Sequence, residues 1–125
     1  MLKKVLIVDD SALIHQMYKM MLMRYKCAIV VAQNGRAGLD KLAQHADVDL
    51  VLLDINMPVM NGIDFIKKVK ELGTYEHIPI IISSTEGKEE DTKRGIALGA
   101  RGYVTKPVQA SELHAVIEAF FAASR

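Results

Sequence analysis

Short apolar runs recur along the chain, with amphipathic stretches between them. The runs are residues 5–8 (Val-Leu-Ile-Val), 28–32 (Ala-Ile-Val-Val-Ala), 50–53 (Leu-Val-Leu-Leu) and 80–82 (Ile-Ile-Ile), then a weaker one at 102–105 (Gly-Tyr-Val-Thr). Unbroken aliphatic runs this short predict strands buried on both faces, as in a parallel sheet. The intervening stretches carry helical spacing. Ile63, Ile66, Val69 and Leu72 form one stripe, ended by Gly73 as a C-cap. A later stretch opens with Glu86, Glu89, Glu90 and Asp91, acids suited to a helix N-terminus, and closes at Gly99. The last, from about Ala110 to Ala123, carries Leu113, Val116, Ile117 and Phe120 on one side. Asn34-Gly35, Asn61-Gly62 and the prolines at 58, 79 and 107 punctuate the connections.

Five strands alternating with five helices predict an α/β fold with right-handed crossovers and helices on both faces of a parallel sheet. The expected form is the flavodoxin-like doubly wound sheet of order 2-1-3-4-5, which sets the first and third strands side by side at its switch point. No linker, repeat or low-complexity segment interrupts the pattern.

Those two strands are the ones that run into acids. Residues 5–8 lead into Asp9 and Asp10, and residues 50–53 lead into Asp54. Parallel strands point one way, so all three carboxylates are expected at one edge, where open α/β folds place their ligands. Two carboxylates about 4 Å apart repel by roughly 4 kcal/mol at an effective dielectric near 20. A cluster of three therefore calls for a cation, and predicts a metal site. The same edge is expected to receive Ser83, Ser84 and Thr85 after the fourth run and Lys106-Pro107 after the fifth. Carboxylates, hydroxyls and an ammonium together suit phosphoryl chemistry on an aspartate. Asp54 is the candidate nucleophile, Asp9 and Asp10 the holders of Mg²⁺ (or Mn²⁺), and Lys106 the partner of a phosphoryl oxygen.

Composition narrows the setting. At 125 residues the chain is long enough for one domain with its own core, expected as 1–125. A formal net charge of +1, from 16 basic and 15 acidic residues, offers no general attraction to nucleic acid or membrane. No apolar run approaches the roughly 18 to 20 residues that span a bilayer, and the N-terminus turns acidic at Asp9, too early for a signal peptide. Cys27 is the single cysteine, which excludes an internal disulfide and suggests a reduced, cytoplasmic setting.

The residues at the strand ends match a family. Val8-Asp9-Asp10, the segment 54–58 (Asp-Ile-Asn-Met-Pro) with Asn61-Gly62 behind it, Ser84-Thr85 and Lys106-Pro107 occur in order, each at a strand end. From about Lys3 to Phe121 the chain resembles the receiver domain of bacterial response regulators, of the stand-alone, chemotaxis-regulator type. The chemotaxis member of that family is itself a known example of the 2-1-3-4-5 order.

The resemblance implies a phosphorylation-dependent switch in two-component signalling rather than an enzyme. Asp54 would accept a phosphoryl group from a histidine kinase or a histidine phosphotransfer protein. Asp10 and Asp54 would ligate Mg²⁺ directly, Asp9 through water, with the backbone carbonyl of Asn56 completing the protein ligands. Ser84, counted from Pro79, would bond the phosphoryl group and draw its loop inward, with Thr85 the alternative. Tyr103 takes the place of the family's switch aromatic, while Asn56 and Glu86 fall where side chains tune phosphoryl lifetime. With no output domain expected, the signal would pass by docking to an unidentified effector through the fourth helix, fifth strand and fifth helix. Lys88, Asp91, Thr92, Arg101, Tyr103 and Lys106 lie along that face. Direct nucleic-acid binding and membrane insertion are not expected, and a monomer or weak dimer is.

Two alternatives are weaker. A phosphohydrolase working through an aspartyl-phosphate favours a second aspartate two residues after the nucleophile, where this chain has Asn56. A flavin module needs a hydroxyl-rich loop after the first strand, where Asp9-Asp10 would repel phosphate. Elsewhere simple structural roles are expected. Met17, Met20, Met21 and Met23 are read as core filling ahead of a partner face. His15, His45, His77 and His114 show no ligand spacing, with His15 at the surface or rim. Cys27 is read as buried. Gly95 either eases a shift of its helix, at about 1 kcal/mol against alanine, or permits close packing.

Overall fold

In a computed structural model, which describes residues 2–85 and 87–121, the alternation resolves into the expected order of elements. These are β1 (Lys4–Val8), α1 (Ala12–Met21), β2 (Ala28–Ala32), α2 (Gly35–Gln44), β3 (Leu50–Asp54), α3 (Gly62–Leu72), β4 (Ile80–Ser84), α4 (Glu89–Leu98), β5 (Gly102–Thr105) and α5 (Ala110–Phe121). A single 3₁₀ turn, Met23–Tyr25, follows α1. All strand pairs are parallel, in the order β2-β1-β3-β4-β5.

The pleat divides each apolar run between two cores. Leu6, Val8, Val51, Leu53, Ile80 and Ile82 face α2, α3 and α4 along with Leu42, Phe65 and Ile66. Val5, Ile7, Leu50, Leu52 and Ile81 face α1 and α5, against Tyr18, Leu113 and Ile117. β1, β3 and β4 are buried almost throughout, whereas the edge strands β2 and β5 are partly exposed. The expectation of burial on both faces thus holds for the centre of the sheet, because only central strands have neighbours on both sides.

Local signals set the helix starts. Ser11, Asn34 and Asn61 cap α1, α2 and α3, each side-chain oxygen accepting an amide three residues on. α4 starts at Glu89, with Glu89, Glu90 and Asp91 in its first turn. Gly73 caps α3 at φ +73°.

Several helix-face expectations need correction. Leu72 and Phe120 are exposed, because each lies at the last turn of its helix beyond the sheet. Met20 and Met23 are exposed too, and Met17 and Met21 only half-buried, so the methionines fill less core than expected. Cys27 is half-buried, ahead of the edge strand β2. His15 is buried rather than at the rim. Gly95 is explained by packing: a Cβ there would strike the Ile82 side chain across the α4–β4 contact.

Candidate functional site

The sheet brings the strand-end residues to one edge. Because Val8 pairs with Leu53 in register, β1 and β3 end side by side. The carboxylates of Asp9, Asp10 and Asp54 each offer an oxygen within 4.8 Å of the others. Asp9 and Asp54 are buried, while Asp10 opens to solvent. Hard oxygen donors at this spacing, one of them accessible, fit a hard divalent cation. They fit the expectation of a cation among mutually repelling acids.

Lys106 enters from β5. Its Nζ lies 3.3 Å from Asp54 Oδ1 and 3.4 Å from Asp9 Oδ2. Its amide donates to the Ser84 carbonyl at 2.6 Å, so ammonium and hydroxyl are set by the same β4–β5 connection. Asp9 is held from a second side, since the Ser11 amide donates to its Oδ1 at 2.9 Å. The Asn56 amide reaches Asp54 Oδ1 at 3.4 Å. Burial lifts the Asp54 pKa above the ordinary carboxylate value; Lys106 opposes this and the Asp9 charge adds to it.

The loop after β3 is held under tension. Its Val59 adopts φ +67° with its side chain 82% exposed, an outlier for a β-branched residue. Gly62 lies against β3, and a Cβ there would sit 2.5 Å from the Asp54 carbonyl oxygen and 2.7 Å from Ile55 Cα. Only glycine permits that approach, which is reinforced by Gly62 N–H donating to Ile55 O at 2.8 Å.

The remaining expected residues divide. Ser84 is buried at the end of β4, whereas Thr85 is exposed beyond it. Tyr103 is 53% exposed beside a groove of about 680 Å³ whose walls include Ser84, Thr92, Ile96 and Lys106. Asn56 is exposed. Glu86 lies outside the described residues. Thr92, expected on the docking face, is buried instead and donates to Ser84 Oγ at 2.8 Å.

Two residues of α1 near the site, His15 and Tyr18, carry more than their sequence positions suggested. His15 Nε2 donates to the Asp9 carbonyl at 2.7 Å, clamping the backbone that carries the first acid. Tyr18 is buried with its hydroxyl toward Ser83, and burial pushes its pKa well up. His15, Tyr18 and Leu22 are the buried stripe of the first helix and its end, and that i, i+3, i+7 spacing was available in the sequence. Thr92 and Gly95 form a similar short inward pair on α4.

Comparison with known proteins agrees with this geometry. Residues 5–118 match the family model described as the response regulator receiver domain. The chain belongs to that family. It is 36% identical over 105 residues to chemotaxis protein CheY1 of Helicobacter pylori, covering 83% of this chain and 85% of that one. A CheY homolog of Campylobacter jejuni is 35% identical over 105 residues, covering 83% of this chain and 81% of its own length. Among solved structures, CheY4 of Vibrio cholerae superposes with a TM-score of 0.83 at 37% identity, covering 94% of this chain and 98% of that one. This receiver is therefore a phosphorylation switch of two-component signalling with the flavodoxin-like fold. Receiver domains are phosphoacceptor signalling proteins whose chemistry is limited to their own phosphorylation and dephosphorylation, which removes the phosphohydrolase alternative. The acidic triad is typical of the family's metal site. Among the described residues, no helix is long and apolar enough to cross a membrane.

Proposed function

We propose that Asp54 is the phosphoacceptor of this receiver, charged by a histidine kinase or histidine phosphotransfer protein. The observation that carries this reading is the Asp54 carboxylate itself, buried at a strand end between Lys106 and two further acids. Its named contacts fall on Oδ1, which leaves Oδ2 to attack phosphorus. The O–P bond forms as the N–P bond of phosphohistidine breaks, and the imidazole nitrogen leaves with the electron pair. Asp9, Asp10, Asp54 and the Asn56 backbone carbonyl would hold Mg²⁺ or Mn²⁺, which neutralises charge on the transferring group when bound. Asp9, gripped by Ser11 and Lys106, suits a role through water, and open Asp10 a direct one.

Lys106 pairs with a phosphoryl oxygen, and Ser84 bonds another, moving its loop. The groove beside Tyr103 is space into which that ring turns when the loop has moved. Asn56 and Glu86 tune the lifetime of the modified state. Output then passes to an effector protein through α4, β5 and α5, where Lys88, Arg101 and Tyr103 are exposed. A single half-buried Cys27, with no possible internal partner, supports a reducing cytoplasmic setting.

The test is intact mass after incubation with Mg²⁺ and acetyl phosphate. One added phosphoryl group is expected, absent in Asp54→Asn and absent with chelator. A phosphoryl group retained in Asp54→Asn sinks the assignment.

A further inference from the structure

Ser84 is tied at two points. Its carbonyl accepts the Lys106 amide at 2.6 Å, which fixes the backbone relative to the site's ammonium. Its hydroxyl accepts from Thr92 Oγ1 at 2.8 Å, across the interior between β4 and α4. Both side chains are buried, at 8% and 7% exposure, in the wall of the groove beside Tyr103. The oxygen of the hydroxyl that would bond the phosphoryl group is therefore held on the side of α4, while its own hydrogen is not used by Thr92.

Thr92 has a second acceptor. Its Oγ1 lies 3.2 Å from the carbonyl of Lys88, one turn back in the same helix. A threonine hydroxyl carries a single hydrogen, which cannot be aimed fully at both oxygens. Back-bonding to the carbonyl four residues earlier is a common resting place for a helical threonine. If Ser84 turns away, Thr92 can swing its hydrogen to Lys88 O and no buried donor is orphaned. Two acceptors thus define two arrangements, and the barrier between them avoids the penalty of an unmade buried hydrogen bond.

We propose that Thr92 is a positioning residue for the switch: its hydroxyl holds the Ser84 side chain toward α4 in the unmodified protein, and release of that bond frees Ser84 for the phosphoryl group. This rests on the reading of Asp54 as acceptor and specifies how its signal first enters α4. Because Lys88 and Thr92 both belong to the start of that helix, the exchange of partners alters the hydrogen bonding of its first turn, next to the Tyr103 groove. Valine at position 92 keeps the shape and removes the hydroxyl; serine keeps the hydroxyl and removes a methyl.

The test is the affinity of the full chain for beryllofluoride, a phosphoryl mimic, in Mg²⁺, by titration calorimetry, with thermal unfolding as the check on folding. Thr92→Val is expected to bind about 2- to 10-fold more tightly than the unsubstituted chain, the range of one neutral hydrogen bond. Thr92→Ser should behave as the unsubstituted chain. In a Ser84→Ala background, Thr92→Val should add nothing. Thr92→Ala carries the same comparison if the valine variant folds poorly. Unchanged or weaker binding in the hydroxyl-free variants, or an equal gain in the Ser84→Ala background, overturns the proposal. Failure of the unsubstituted chain to bind beryllofluoride would instead overturn the reading of Asp54.

Discussion

Lys106 Nζ stands 3.3 Å from Asp54 Oδ1, and the same ammonium reaches Asp9 Oδ2 at 3.4 Å. One cation thus serves two buried carboxylates that would otherwise face each other uncompensated. Removing one partner of a sealed ion pair costs about 3–5 kcal/mol. This site opens to solvent through Asp10, and the Lys106 side chain is 21% exposed, so the cost here is smaller. Lys106→Met is expected to lower stability by about 1–3 kcal/mol in chelator, read by urea unfolding. Mg²⁺ should restore much of the loss, since a divalent cation then takes over the neutralisation. A loss that Mg²⁺ leaves untouched contradicts a shared electrostatic role.

Asp54 makes the opposite prediction. Burial holds its pKa above the ordinary carboxylate value, so the folded chain binds this proton more tightly than the unfolded one. Its contribution is therefore fully present below the unfolded pKa, about 4, and is lost as pH rises through the folded pKa. Asp54→Asn keeps the shape without the charge. It should raise Tm at pH 7 in chelator, and the gain should shrink as pH falls toward 4. Adding Mg²⁺ should narrow the gap by stabilising the unsubstituted protein more than the variant. A gain that persists undiminished in acid excludes charge as its source.

Val59 holds a left-handed backbone conformation with its side chain in solvent, so the strain is not repaid by burial of the residue. A non-glycine residue in this region costs on the order of 1–3 kcal/mol. Val59→Gly or Val59→Asn is expected to stabilise the fold by about 1 kcal/mol, measured as a rise in the denaturation midpoint at unchanged slope. If both variants are neutral or worse, the loop conformation is not the source of strain.

Gly62 is the reverse case, where a small residue is required. An added methyl meets the backbone of Asp54 and Ile55, which has no rotamer to change. Gly62→Ala is expected to cost about 2 kcal/mol or more and to slow phosphoryl acceptance from acetyl phosphate, because the strand end carrying Asp54 must move. Wild-type acceptance rates in a destabilised variant would show that the carboxylate tolerates the shift.

Much of this site could be read along the chain because of one physical regularity. A strand buried in the middle of a parallel sheet is an unbroken apolar run, so the first polar residue after it marks the edge where ligands bind. Asp9 and Asp54 stand at such positions, Asp10 and Ser84 follow one residue on, Lys106 comes after the weaker fifth run, and the pairing of β1 with β3 brought the acids together as expected. Capping residues were equally legible at Ser11, Asn34 and Asn61, since a cap acts on amides only three residues away.

Polar residues within helices were not legible in this way. The inward stripe that holds His15 could be read from its spacing, but the side-chain hydrogen bonds of His15 and Thr92 depend on partners outside their own helices. His15 found the Asp9 carbonyl and Thr92 found Ser84 only once α1 and α4 had docked on the sheet. The strain at Val59 is likewise a property of the closed loop, imposed on a residue whose own preference is extended. Sequence alone determined which chemistry gathers at the sheet edge, because local burial periodicity dictates where strands end. Tertiary structure alone decided what holds each group in place, because those restraints join residues that meet only through packing.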